Sequence, residues 1–123
     1  MSQLNFPGNS TTVSLLAAAS CANTAAATGS AVDLLDYEGP VVIVQNHGAS
    51  TGTLDGKIQD SADGSTGWAD VSGATFAQST TTADIKTLVL QRKQVRRYIR
   101  YVGTVGTGPQ VVGVSATGVK KSV

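Results

Sequence analysis

The sequence is sparing with the residues that carry chemistry. Its 123 residues include one cysteine, one histidine, one methionine, one tryptophan and three prolines. The single cysteine, Cys21, closes no disulfide within the chain and cannot build a cysteine-based zinc site. The single histidine, His47, excludes a two-histidine metal motif in one copy, and any Ser-His-Asp triad would have to use it. Charged residues make up 14% and the formal net charge is +1, which by itself points to no partner. No apolar run approaches the roughly 20 residues of a membrane-crossing helix. Residues Leu15 to Cys21 loosely imitate a lipoprotein signal, yet residues 1–14 hold no Lys or Arg and carry Pro7, Gly8 and Asn9. A secretory signal needs a basic start. The expectation is a protein made in the cytoplasm, with no export signal and no membrane association.

What is present favours strands. Ala, Gly, Ser and Thr supply 56 residues, and the 15 Val stand against 8 Leu. Val and Thr together give 30 β-branched side chains, which fit a pleated surface better than a helix. Leu, Ile, Val and Phe number 29, about a quarter of the chain and above the roughly 20% below which disorder becomes the default. The length suits one domain with its own core.

Residues 1–12 are polar and turn-rich and read as an extended N-terminal arm; residues 13–123 read as the domain. Thr11 to Leu16 can form a strand. The Ala-rich stretch to Ala27, broken by Ser, Thr and Asn, reads as strand or extended loop. From residue 32, short apolar segments recur at Val32–Tyr37, Val41–Gln45, Thr53–Gln59, Gly67–Val71, Thr75–Gln78, Thr87–Gln91, Tyr98–Val105 and Val111–Ala116. Turn residues separate them, among them Glu38-Gly39-Pro40, Asn46-His47-Gly48, Asp63-Gly64 and Gly108-Pro109. This spacing predicts an all-β antiparallel sandwich, Ig-like or jelly-roll-like, of about seven to nine short strands. Alternation in Arg96–Val105 puts Arg97, Ile99, Tyr101, Gly103 and Val105 on the core face, and Arg96, Tyr98, Arg100, Val102 and Thr104 outside. In Thr53–Gln59, Leu54 and Ile58 face in, while Asp55, Lys57 and Gln59 face out.

Charge is segregated along the chain. All eight acids lie in residues 1–85 beside one base, Lys57, and residues 86–123 hold eight bases and no acid. Either this marks an interaction surface, or acidic and basic strands pair across one sheet.

Candidate chemistry is thin. His47, Ser50 and Asp55 supply the residue types of a hydrolase triad, but no nucleophile-elbow pattern accompanies them, and His47 reads as a solvent-facing turn residue. Asp55, Asp60 and Asp63 cluster near a turn without the twelve-residue spacing of a Ca²⁺ loop. Trp68 reads as a structural anchor, as does Tyr101. The densest constellation is Arg92 to Tyr101, five basic residues interleaved with two tyrosines. That could track a phosphate backbone, but the near-zero net charge and the lack of an RNA-binding signature argue against nucleic acid. No catalytic, cofactor-binding or metal-ligating set emerges, and the expectation is a protein that is not an enzyme and needs no cofactor.

One ordered set of residues resembles a known group. It runs Ala31-Val32-Asp33-Leu34, then Lys57 to Gly64 with Trp68-Ala69-Asp70-Val71, then Gly73-Ala74-Thr75-Phe76, then Arg96 to Arg100 before Gly103-Thr104-Val105. This resembles small head structural proteins of tailed bacteriophages, similar to capsid decoration (cement) proteins, over about residues 31–119. The resemblance implies a virion β-sandwich that binds the outside of an assembled capsid. Its partner would be the phage major capsid protein, and it would act as a homo-oligomer, a trimer before a dimer. The alternative is a phage tail or fibre β-module, in which Trp68, Tyr98 and Tyr101 would be the residues to bind carbohydrate. Expected contacts with capsid or sister protomer are Gln3, Leu4, Asn5 and Phe6 in the arm and Arg96, Arg97 and Arg100 in the domain. Segments around Ser61 to Trp68 also partly resemble the Asp-box hairpin of sialidases, a pattern that marks a folded hairpin, not a catalytic group.

Overall fold

The structure, a computed structural model, describes residues 10–21, 26–49, 52–106 and 109–120. Nine strands follow in order: β1 (Ser10–Cys21), β2 (Ala26–Thr28), β3 (Val32–Asp33), β4 (Tyr37–His47), β5 (Leu54–Ser61), β6 (Ala69–Thr75), β7 (Asp84–Gln91), β8 (Tyr98–Val105) and β9 (Gln110–Lys120). They form two antiparallel sheets. The first sheet has the order β1-β9-β4-β7; the second has β2-β8-β5-β6, with β3 also pairing β8. The expected all-β sandwich is the observed fold.

Alternation builds the core. In β4, Val41, Ile43, Gln45 and His47 point inward; in β8, Ile99, Tyr101, Gly103 and Val105 do. These meet Leu15, Leu34, Leu54, Ile58, Val112 and Val114 in one apolar cluster between the sheets. Such burial of β-branched and aliphatic side chains is the main driving force for the fold. Asp55, Lys57 and Gln59 lie outside the core while Leu54 and Ile58 are buried, as the alternation predicts.

Tyr101 shows how closely sequence and packing are tied. Its ring is fully buried, and it lies against Gly103 and Gly56, which face each other across β8 and β5. A Cβ on Gly56 would collide with the Tyr101 hydroxyl and the Gln45 amide. The hydroxyl donates to Gln45 Oε1 at 2.6 Å, and Gln45 Nε2 donates to Ser79 Oγ at 3.3 Å. Ser79 in turn exchanges both backbone hydrogen bonds with Leu54 of β5. This buried polar path ties one sheet to the other.

Several local readings need correction. The Asn46-His47-Gly48 turn is strand: β4 runs through His47, which pairs with Asp84 of β7 and Val112 of β9. His47 is therefore buried, at 2% exposure, not solvent-facing. Glu38-Gly39-Pro40 also lies within β4, at a register shift between Glu38 and Val42. Pro40 has no N–H to donate, and a bulge tolerates that loss. Thr75–Gln78 is not a separate strand, because β6 ends at Thr75. Val32–Tyr37 is broken by a turn at Leu35-Asp36, leaving β3 only two residues long. Arg97 is exposed, not core-facing. A 3-10 turn at Arg92–Gln94 and the bend after it carry the chain into β8, so the alternation begins only at Tyr98. The first strand takes in Ser10, Thr11 and Thr12 of the expected arm.

Candidate functional site

The outer face of the second sheet carries a connected polar lattice. At its centre the register of β5 and β8 sets Gln59 opposite Arg100. Gln59 Oε1 accepts from Arg100 Nε at 3.0 Å and Nη2 at 2.8 Å. The guanidinium also lies 4.3 Å from the centroid of the half-buried Trp68 ring, a cation–π arrangement. Gln59 Nε2 donates to Asp70 Oδ1 at 2.9 Å, and the Asp70 carboxylate pairs with Lys57 Nζ at 3.1 Å. These donors hold the Asp70 carboxyl below the usual range, the Gln59 amide foremost and Lys57 next. The chain Trp68, Arg100, Gln59, Asp70, Lys57 thus spans β8, β5 and β6.

Arg96 closes one end of this face. Its backbone N–H donates to Asp60 Oδ2 at 2.9 Å, and its Nε and Nη2 donate to Asp60 Oδ1 at 3.1 and 3.0 Å. Nη2 also donates to the Asp60 and Gly67 carbonyls at 2.7 and 2.8 Å. The loop from Ser61 to Gly67 is pinned to the end of β5 by that one side chain. Inside the loop, Asp63 Oδ1 accepts from the Ser65 and Thr66 backbone N–H groups, both at 2.9 Å. Those bonds, led by the Thr66 amide, hold the Asp63 carboxyl well below the ordinary carboxylate range. Gly64 has a φ of 79°, which suits the Asp-Gly turn read from the sequence.

Arg97 makes a two-pronged pair with Asp33: Nε to Oδ1 at 2.9 Å and Nη2 to Oδ2 at 2.8 Å. The Arg97 hydrogen bond is the main cause of the Asp33 pKa falling from 3.8 to about 2, and Arg97 is raised in turn. The three arginines singled out in the sequence therefore each have an intramolecular partner, and the acidic and basic halves do meet across one sheet. Gln3, Leu4, Asn5 and Phe6 lie outside the described residues.

The triad residue types are not brought together. His47 faces the core from the first sheet, Asp55 is exposed on the second with Gln78 Nε2 donating to its carboxylate at 3.1 Å, and Ser50 lies outside the described residues. Among the described residues no group of three or more His, Cys, Asp or Glu is placed to hold a metal ion. Asp60 and Asp63, the acids nearest a calcium-type cluster, are engaged by Arg96 and by the loop's own amides.

A second surface escaped the sequence reading. The outer face of the first sheet, beyond the register shift in β4, presents Thr12 and Ser14 from β1 and Val111, Gly113, Ser115 and Thr117 from β9. Beside them stand Val42, Val44 and Asn46 from β4, and Ile85, Thr87 and Val89 from β7. None of these is charged. Ile85, Val89 and Val111 are 59%, 58% and 51% exposed, three of the four exposed large apolar side chains among the described residues. A shallow concavity of about 600 Å³ opens among Ser14, Leu16, Val44, Val111, Gly113 and Ser115. The sequence separated inward from outward positions only in segments of the other sheet, Thr53–Gln59 and Arg96–Val105, and nothing in it set these four strands side by side.

No protein-family model matches the chain, and no curated protein matches its sequence. Solved structures do share its fold. The PBSX exported protein XepA is 14% identical with a TM-score of 0.66; the match covers 92% of this chain and 38% of that one. The SPBc2 prophage-derived protein YomS is 10% identical with a TM-score of 0.55, covering 97% of this chain and 100% of that one. The chain therefore spans well under half the length of XepA. At these identities the likeness is one of fold.

Proposed function

We propose that the chain is a non-enzymatic structural protein of a bacteriophage particle, which binds the exterior of the assembled capsid through the outer face of its second sheet and stabilises the shell. The observation that carries this reading is the lattice of Trp68, Arg100, Gln59, Asp70 and Lys57, ordered before any partner arrives. Side chains already fixed by one another lose little conformational freedom on binding, and Trp and Arg are the residue types that most often dominate an interface. The motif resemblance to phage head proteins supports the same role. So does a fold shared with a prophage-derived protein.

The test is co-sedimentation with mature capsids that lack the protein, scored by electron microscopy. Stoichiometric, saturable binding at symmetric positions is expected. Arg100→Glu should cut occupancy while leaving the isolated domain folded by circular dichroism. Bare capsids with all of the wild-type protein in the supernatant would remove the capsid reading.

A further inference from the structure

We propose that the outer face of the first sheet is the docking surface for a second copy of this chain, packed sheet face to sheet face. This stands apart from the capsid reading, which concerns the opposite side of the sandwich. The first argument is charge. A face carrying no charge pattern that needs its opposite is one an identical copy can complement, and beyond the register shift in β4 charge is absent from the outward positions of the four neighbouring strands. Charged side chains of the first sheet stand at its ends or off this face, among them the Asp84–Lys86 pair of β7, and the larger set of paired charges lies on the other sheet.

The second argument is shape. A two-fold axis running along the strands between β9 and β4 lays β7 of each copy over β1 of the other. By the strand registers, Ile85 of one copy then lies over β1 of the other at the level of Gly113, beside the concavity, and Val89 lies over Thr12. Each contact occurs twice, as a self-complementary interface requires.

The third argument is area. Four strands about 4.8 Å apart, over a run of about seven residues at 3.3 Å each, give roughly 450 Å² of flat face per copy. Two copies cover about 900 Å² before side-chain relief is counted, close to the roughly 1,000 Å² at which specific interfaces begin.

Sedimentation velocity across micromolar to several hundred micromolar protein tests this. Wild type should associate in pairs, and Val89→Glu should weaken that association about 100-fold or more, since each of the two equivalent contacts would then bury a carboxylate with no partner against an uncharged face. Val111→Glu is the second variant, should the first fail to fold. Ser115→Cys in a Cys21→Ser background adds a measurement without a new charge: a short thiol crosslinker should join two copies. A wild type that stays monomeric overturns the proposal, as does an odd-numbered assembly such as a trimer. So does association that persists unchanged in folded glutamate variants, or a Ser115→Cys protein that pairs but does not crosslink.

Discussion

At the residue scale, the polar path from Tyr101 through Gln45 to Ser79 is the most exacting part of the core. Tyr101→Phe removes the hydroxyl and leaves the buried Gln45 Oε1 without its 2.6 Å donor. An orphaned buried acceptor of this kind costs about 1–3 kcal/mol. Urea unfolding should show that loss, with an unchanged dependence on denaturant because the exposed surface does not change. A variant as stable as wild type would mean that Gln45 finds another partner. The sequence announced Tyr101 as an inward anchor through alternation, but nothing announced its partner, because Gln45 lies 56 positions away in the other sheet. His47 was misread for a related reason. Asn-His-Gly is turn chemistry when read locally, and only pairing on both sides, to Asp84 and Val112, holds that stretch extended. Among the described residues neither ring nitrogen of His47 and neither end of the Gln110 amide has a hydrogen-bond partner. Pattern reading does not anticipate two such polar groups in a core.

At the scale of elements, the two-residue β3 depends on few contacts, and Arg97–Asp33 is the charged one. Asp33 has an ordinary pKa of 3.8 and a folded value of about 2. Its stabilising contribution is therefore complete above the unfolded value and fades as pH falls from about 4 through 2. Both partners are about two-fifths exposed, so solvent screening limits the pair to no more than about 1 kcal/mol. Asp33→Asn should lower the unfolding midpoint slightly at neutral pH. The gap from wild type should close at pH 2 or in high salt, as a pH series of thermal melts would show. A gap that persists at pH 2 would assign the effect to packing of β3. Segments rich in Val and Ile between Gly, Asn and Pro were legible as strands, and β8 matched its expected bounds. The neighbours of each strand were not legible, since antiparallel order is settled by contacts far apart in sequence. Hence the pairing of basic with acidic strands holds for Arg96, which meets Asp60, and not for Arg100, which bonds the Gln59 amide oxygen and lies over Trp68.

At the scale of the whole molecule, the sandwich has two unlike outer surfaces, one charged and internally paired, the other uncharged. On the two proposals above, each face would meet a different partner. Its framework is less divisible, because β9 sits between β1 and β4. Removing residues 110–120 would leave β1 with no neighbour in its sheet and β4 paired only to β7. Such a truncated chain should show no cooperative thermal transition; a sharp one would mean that the second sheet folds by itself. The same placement sets a timetable for synthesis. Ser10 pairs with Val119 and Cys21 with Gln110, so β1 must wait roughly one hundred residues of synthesis for its neighbour, a separation that slows folding. The first sheet closes only when β9 emerges. Until then the apolar stretches of β1 and β4 are open to passing chains, which makes that interval the one most exposed to aggregation.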